Sequence, residues 1–270
     1  MNHPLDLYSN YNYALILLAL FVGSCASFCA LELVAYITSQ RGAARRAWLL
    51  GGASVFGLGV WATHFIGMLA FSLTTPVGYY LPIVVVSMAP AIAAAALALA
   101  LTTSGPLTAG RLWGGAVLMG AGIGAMHYSG MFAMRMAAVT YYDLAYLLGS
   151  VVFAVAASLL SLYMAFSLRD EEADSANRAI AGLVMGTAIA GLHFTAMFFA
   201  SHFAPATATG RLLTTPWTNA APSGAWVVQI PPAVAVLIAI LLLGGVAYVL
   251  GRMRAAQAVA RRLAATSGAD

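Results

Sequence analysis

Residues 124–131 read Gly-Ala-Met-His-Tyr-Ser-Gly-Met, so that His127 stands four residues before Met131 near the end of a long apolar run. In a helix this spacing puts both side chains on one face, one turn apart. The pattern small-x-His-aromatic-x-small-Met occurs three times in the chain. Its histidine and methionine pairs are His64 with Met68, His127 with Met131, and His193 with Met197. This repetition predicts that the chain is built from three equivalent units.

The composition predicts an all-α membrane protein. Hydrophobic residues make up 62% of the chain and charged residues 7%, against roughly a quarter charged in soluble domains. Apolar runs of about 20 residues, long enough to cross a bilayer, recur along the whole length. All 12 basic residues are arginine, which excludes a rhodopsin because a retinal Schiff base needs a lysine. The arginines lie at helix ends, so we expect a lipid bilayer as partner and no nucleic acid.

Seven transmembrane helices are predicted between a short external N-terminus at 1–12 and a basic cytoplasmic tail at 253–270. Within this seven-helix domain, 13–252, the second, fourth and sixth helices carry the motifs. A tight basic loop is expected at 40–46 between the first two helices. The expected spans are about 13–37, 47–71, 81–101, 111–136, 142–168, 178–203 and 230–250.

The arginines predict the orientation of the chain. Ten of them fall on one side of the predicted spans, and only Arg135 and Arg211 fall on the other. Cytoplasmic loops carry the excess of arginine in membrane proteins, so we expect the N-terminus outside and the C-terminus in the cytoplasm. The motifs then lie near the outer ends of their helices.

The repeat includes small residues upstream of each histidine. Gly57, Gly120 and Gly186 lie seven residues before the histidines, and Gly59, Gly122 and Ala188 lie five residues before them. Small residues let membrane helices approach closely. The chain is therefore predicted to contain three parallel two-helix repeats plus one further helix, related by an axis along the membrane normal.

The three histidines are predicted to form one metal site. Each lies about seven residues, or ~10 Å, from the outer end of its helix, so all three share one depth. Imidazole and thioether together are a soft, neutral ligand set that favours copper, whereas zinc does not normally recruit methionine. The candidate metal ligands are His64, His127, His193, Met68, Met131 and Met197.

Other interpretations of the motif stay open at the level of the sequence. A buried histidine with a methionine one turn away is often simple packing, and three copies could form a structural hydrogen-bond knot. Two histidines could also be axial ligands of a haem, and parallel repeats around a polar site also describe small transporters or channels. Cys25, Cys29 and Glu32 share one face of the first helix but lie too deep to join the histidines. No catalytic constellation is present, so we expect no enzyme activity.

The motif Met126-His127-Tyr128-Ser129, with its counterparts at 63–66 and 192–195, resembles the MHYT domain of bacterial integral-membrane sensors. The resemblance covers about residues 10–255. It implies a sensor in the bacterial inner (plasma) membrane that binds copper at the three histidines and the neighbouring methionines. It also implies sensing of a diatomic gas such as oxygen, carbon monoxide or nitric oxide, or of redox state.

The sequence departs from the pattern of this family in two respects. No copy of the motif spells all four letters, and Met126 fills the first position in the second copy only. Many relatives also join the domain to a cytoplasmic cyclic-di-nucleotide cyclase, phosphodiesterase or kinase. Only about 20 residues follow the seventh predicted helix, so we expect signalling through a separate cytoplasmic protein.

Overall fold

The computed structural model describes residues 9–136, 138–169, 174–205, 217–218, 226–231 and 233–267. Eight α-helices make up most of this part of the chain. They are α1 Tyr13–Ser39, α2 Gly42–Ala70, α3 Leu81–Val86, α4 Met88–Thr103, α5 Ala109–Phe132, α6 Leu144–Ser167, α7 Ser175–Thr195 and α8 Ala233–Ser267. A π-helical turn, Ala196–Ala200, follows α7 directly.

The predicted all-α membrane fold is confirmed, with seven long helices when α3 and α4 are counted as one. The short helices α3 and α4 are two parts of one predicted span, interrupted at Ser87. Six spans are long and apolar enough to cross a bilayer by length and composition. The seventh, α5, has 24 residues like its neighbour α6, but its many glycines and Arg111 lower its hydropathy.

In the first two units, the motif helix packs closely against the first helix of its own unit. Ala26 of α1 occupies the space beside Gly59 of α2 that a side chain would need. In the second unit, a Cβ on Gly122 of α5 would lie 2.9 Å from the Cβ of Ala94 on α4. The glycines five residues before the histidines are therefore the contact points inside the first two units, as the repeat predicts.

The glycines seven residues before the histidines join each unit to the next. A Cβ on Gly57 would lie 2.5 Å from the Cα of Ile92 on α4, and one on Gly120 would lie 2.9 Å from the backbone nitrogen of Val155 on α6. Gly186 of α7 meets the backbone of Ser24 on α1. The helices thus form a closed ring in the order α1, α2, α4, α5, α6, α7 and back to α1.

The last helix, α8, lies outside this ring and packs against α1 and α2. Its 35 residues correspond to about 52 Å, well beyond the ~30 Å hydrocarbon core of a bilayer. The segment predicted as a tail from residue 253 is therefore helical as far as Ser267.

Short strands cover the end of the bundle at which α2, α5 and α7 finish, which we call the histidine end. Strand β1 Ser9–Tyr11 pairs with β2 Phe71–Leu73. Two three-stranded sheets complete this cap, with the orders β4-β3-β8 and β6-β5-β7. Their strands are β3 Gly78–Tyr80, β4 Met134–Arg135, β5 Ala138–Tyr142, β6 Ser201–Pro205, β7 Trp217–Thr218 and β8 Val227–Val228.

The cap accounts for several differences from the predicted helix bounds. The helix expected to reach residue 136 ends at Phe132 because β4 follows, and the one expected to reach 203 gives way to β6 at Ser201. At the other end of the bundle the tight basic loop expected at 40–46 is wrong, since α2 begins at Gly42. Residues 1–8 of the predicted external N-terminus lie outside the described part of the chain.

Arginine side chains stabilise the opposite end of the bundle, which we call the arginine end. Arg45 donates hydrogen bonds to the carbonyl and hydroxyl oxygens of Thr103 at the end of α4, at 3.3 and 3.0 Å. Arg178 donates to the carbonyl of Leu168 at the end of α6. Cations at helix C-termini satisfy carbonyls that lack partners within the helix and interact favourably with the helix dipole.

Candidate metal centre

The side chains of His64, His127 and His193 meet in the core of the histidine end. The Nδ1 atoms of His64 and His193 lie 2.9 Å apart, and those of His127 and His64 lie 3.2 Å apart. All three residues are at most 3% exposed. Each offers a ligand atom within 4.8 Å of the other two. The predicted convergence of the three motifs is therefore present in the fold.

The imidazole rings pack edge to face around this point. Their centroids are separated by 4.9 Å for His64 and His127, 4.8 Å for His64 and His193, and 5.4 Å for the remaining pair. His64 holds the central position, because its Nδ1 contacts the Nδ1 of both partners. It lies on α2, which packs against both α5 and α7.

Hydrogen bonding alone does not satisfy this group of nitrogens. A neutral imidazole carries either a hydrogen or a lone pair on Nδ1, so the His64 Nδ1 cannot donate to one partner and accept from the other. The Nε2 atoms of all three histidines are also buried without a hydrogen-bond partner among the described residues. Buried polar atoms without partners are costly, so a group of them calls for a physical reason.

Two of the three separations between the Nδ1 atoms are close to those of a metal site. Three nitrogens bound at about 2.0–2.1 Å in a trigonal or tetrahedral arrangement lie about 3.3–3.6 Å apart. The two Nδ1 separations of 2.9 and 3.2 Å need to widen by only a few tenths of an ångström. The three Nδ1 lone pairs would hold the ion, which would replace the unsatisfied contacts between the nitrogens.

Two glycines of the motifs make room for the imidazoles. A Cβ on Gly67 of α2 would lie 2.5 Å from both Cδ2 and Nε2 of His193, and Gly130 of α5 lies against Nε2 of His64 in the same way. Both glycines stand three residues after the histidine of their own helix. Helix α2 thus supports His193 of α7, and helix α5 supports His64 of α2. The small residue in the repeated pattern is the sequence signal for this role, which was not predicted from the sequence.

The three predicted methionine ligands are buried in the same hydrophobic core. Met68, Met131 and Met197 are at most 2% exposed. Met197 differs from the others because it lies in the π-helical turn, whereas Met68 and Met131 lie in regular α-helix. The spacing of four residues therefore places Met197 differently relative to its histidine. Their role as metal ligands stays a prediction.

An aromatic side chain follows each histidine and packs beside the imidazoles. The rings of Tyr128 and Phe194 lie 4.8 Å from those of His127 and His193. Tyr128 also shares a 2.6 Å hydrogen bond with the hydroxyl of Ser150 on α6. These contacts limit rotation of the imidazoles and keep water from the site.

The other ionisable candidates lie apart from the histidines. Glu32 pairs with Arg178 across α1 and α7 at 3.5 Å, near the arginine end. Cys25 and Cys29 are free thiols on α1. Within the described residues, the three histidines are the one group of at least three His, Cys, Asp or Glu side chains close enough to hold a metal ion.

The fold and the site together define a multi-pass helical membrane protein with a buried cluster of three histidines at one end of its bundle. The family model described as MHYT, a bacterial signalling protein N-terminal repeat, matches residues 57–115 and 120–176. These stretches begin at Gly57 and Gly120, seven residues before the first two histidines. The chain thus contains MHYT repeats.

Several curated proteins are similar to this chain. The bifunctional diguanylate cyclase/cyclic di-GMP phosphodiesterase MucR of Pseudomonas aeruginosa is 43% identical over 192 residues, which are 71% of this chain and 28% of MucR. The signalling protein YkoW of Bacillus subtilis is 31% identical over 73% of this chain and 25% of its own length. The cyclic di-GMP phosphodiesterase NbdA of P. aeruginosa is 35% identical over 69% of this chain and 24% of its own length. The chain thus spans about a quarter of these relatives. No solved structure matches it.

Proposed function

We propose that this protein is a membrane sensor in which His64, His127 and His193 bind one copper ion through their Nδ1 atoms. The observation that carries the proposal is the meeting of three buried Nδ1 atoms, two pairs of them at 2.9 and 3.2 Å. A bound ion supplies an open coordination position and one-electron redox chemistry. The chain's own residues hold the imidazoles, orient them and exclude water.

Copper is proposed rather than zinc or haem because of the surroundings of the imidazoles. Soft, neutral ligands favour Cu(I), and the methionine of each motif is buried in the same core. Axial ligands of a haem lie on opposite sides of the porphyrin plane. Nδ1 atoms 2.9 Å apart leave no space for a porphyrin between His64 and His193.

The signal would leave the site through α2 and α8. His64 contacts both other histidines, and its helix packs directly against α8. Near this contact, Leu242 of α8 lies beside Gly59 and Ala26. A shift of α2 on ligand binding would therefore reach a helix of about 52 Å that extends past the bilayer. The predicted orientation in the bacterial inner membrane would place this extension in the cytoplasm, where a separate signalling protein could bind.

The names of the three relatives point to the kind of signalling pathway on which this protein acts. Two of them carry names of cyclic di-GMP enzymes and one is named a signalling protein. We propose that the output of this protein also acts on cyclic-di-nucleotide signalling. None of the three is named a transporter, so the transporter or channel alternative is not favoured.

Metal analysis of purified protein tests the shared site. We expect one copper per chain in the wild type after reconstitution with Cu(I), and loss of most of it in each of His64→Ala, His127→Ala and His193→Ala. His202→Ala removes a histidine from outside the three motifs and is the matched control, which should keep its copper. Equal copper in all five proteins would refute the proposal. Zinc in place of copper would overturn the choice of metal.

A further inference from the structure

Three arginine side chains meet at one short segment of the arginine end. Arg45 lies on α2, Arg111 lies on α5, and Arg169 lies directly after α6. Each donates hydrogen bonds to oxygen atoms of residues 101–105, the segment that ends α4 and begins the loop to α5. The three side chains are partly buried. This segment therefore gathers three positive charges from three different parts of the chain.

Arg111 and Arg169 contact the same residue, Gly105, from two sides. Nη1 of Arg169 lies 2.6 Å from the carbonyl oxygen of Gly105. Nη1 of Arg111 lies 3.3 Å from the position that a Cβ on Gly105 would take. The two nitrogens are therefore at most about 10 Å apart, given these contacts and the dimensions of one residue. This is about one Debye length at ordinary ionic strength, so the two charges repel each other and an anion beside them lowers that cost.

The described part of the chain provides no carboxylate within 4 Å of the three arginines. Its carboxylates have other roles, since Glu32 pairs with Arg178, and Asp143 and Asp174 cap the N-termini of α6 and α7. Nε of Arg111 is also buried and has no hydrogen-bond partner among the described residues. Buried charges in proteins are normally paired. The arginine cluster therefore calls for an anion that the described residues do not supply.

An apolar surface that faces the lipid begins directly beside the cluster. Gly114 lies three residues after Arg111 and so one turn along the same face of α5. A Cβ on Gly114 would meet no atom within 4 Å, so the missing side chain leaves a shallow groove. Trp113, Val117 and Leu118 beside it are 56%, 51% and 60% exposed. A ligand with an anionic head and a hydrocarbon tail fits both the arginines and this groove.

We propose that Arg45, Arg111 and Arg169 bind the phosphate group of one anionic phospholipid, whose acyl chain lies along α5 over Gly114. Guanidinium groups bind phosphate through charge-assisted hydrogen bonds, and basic pockets between transmembrane helices bind lipid headgroups. The predicted orientation places the site in the cytoplasmic leaflet, whose surface is negative. The lipid would hold α2, α5 and the end of α6 together at the opposite end from the histidines. Its binding does not depend on a metal.

Mass spectrometry of the intact protein with its bound lipids tests the headgroup site. Delipidated protein in detergent is mixed with equal amounts of phosphatidylglycerol and phosphatidylcholine that carry the same acyl chains. We expect the wild type to retain one phosphatidylglycerol in preference to phosphatidylcholine. Arg111→Gln and Arg169→Gln should each lower this preference about fivefold. Arg254→Gln removes the same charge from α8, which packs against α1 and α2, and should keep the preference.

A pair of glycine variants tests the groove separately from the arginines. Gly114→Leu fills the groove and should lower the retention of phosphatidylglycerol. Gly149→Leu makes the same change on α6 near the histidine end, where a Cβ also meets no atom within 4 Å, and should leave retention unchanged. Because the arginines also hold the end of α4, their variants could fail to fold. In that case the wild type and this glycine pair decide the proposal.

Equal retention of the two lipids by the wild type would overturn the proposal. An undiminished preference in both Arg111→Gln and Arg169→Gln, or wild-type retention in Gly114→Leu, would overturn it as well. Complete displacement of the lipid by excess inorganic phosphate would make the ligand a soluble anion instead. The acidic residues 170–172 lie outside the described residues. If they supply the anion, their triple replacement by Asn and Gln will create a lipid preference that the wild type lacks.

Discussion

The substitution Gly67→Ala tests whether the motif glycines position the metal ligands or serve only in helix packing. The new Cβ would lie 2.5 Å from both Nε2 and Cδ2 of His193. Ordinary contacts of this kind begin near 3.4 Å, so the imidazole must move by about 1 Å. Metal–ligand distances tolerate only about ±0.2 Å. The displaced ring should therefore no longer serve as a ligand together with His64 and His127.

The expected magnitude follows from these distances. Overpacking a well-filled core costs typically about 1–3 kcal/mol. Disturbing the support of a metal ligand typically lowers metal affinity by about 10–100-fold. We therefore expect Gly67→Ala to lower both the melting temperature in detergent and the affinity for copper, measured by competition with a chelator of known affinity.

Gly51→Ala is the matched control for this experiment. Gly51 lies on the same helix, α2, and no atom lies within 4 Å of the position of its added Cβ. Alanine is favoured over glycine inside a helix by roughly 0.5–1 kcal/mol, so this variant should be slightly stabilised and keep its copper. The two variants should thus shift stability in opposite directions. Wild-type copper affinity in a folded Gly67→Ala protein would refute the reasoning.

Two further predictions concern the methionines and the ion pair. Met68→Leu and Met131→Leu keep the volume of the core, so we expect less than about 1.5 kcal/mol of destabilisation but weaker Cu(I) binding by chelator competition. The change in Cu(I) affinity should be different in Met197→Leu, because Met197 lies in a π-helical turn. Unchanged Cu(I) affinity in all three variants would show that the thioethers are not metal ligands. Glu32→Gln takes the carboxylate away from the buried Arg178, so it should lower the melting temperature and leave copper binding intact at the opposite end of the bundle. A loss of copper in this variant would contradict that separation.

The convergence of the three histidines was predictable from the sequence because depth in a membrane can be counted in residues. Each motif helix has arginines at one end, and its histidine lies the same number of residues from the other end. The three histidines therefore share one depth, and the three helices share one direction. The parallel repeat then places the three helices around one axis. What the sequence could not provide was the orientation of each ring. Which nitrogen faces the axis depends on the side-chain rotamer, and here on the space left by Gly67 and Gly130.

The short strands of the cap were missed for a related reason. Segments such as 71–73 and 78–80 directly adjoin helix ends, and each strand has at most five residues. Alternation over so few residues carries little signal. Their pairing is fixed by tertiary contacts, such as the hydrogen bond from Tyr79 to the carbonyl of Met68.

The alanine at position 188 shows why a visible difference between repeats could not be interpreted from the sequence. Aligned on the histidines, Ala188 differs from Gly59 and Gly122 by one methyl group, which is a small change in composition. Its effect depends on the partner helix. Beside Gly59 the facing helix presents the Ala26 methyl at a distance that an alanine could not accept, whereas Ala188 faces a void. In a closely packed core, one methyl group changes how two helices fit together only where an atom of the other helix is near. Which atoms are near is known only from the assembled ring of helices. The cavity lined by Ala188 is thus the consequence of a nearly symmetric structure in which one of three equivalent contacts is not made.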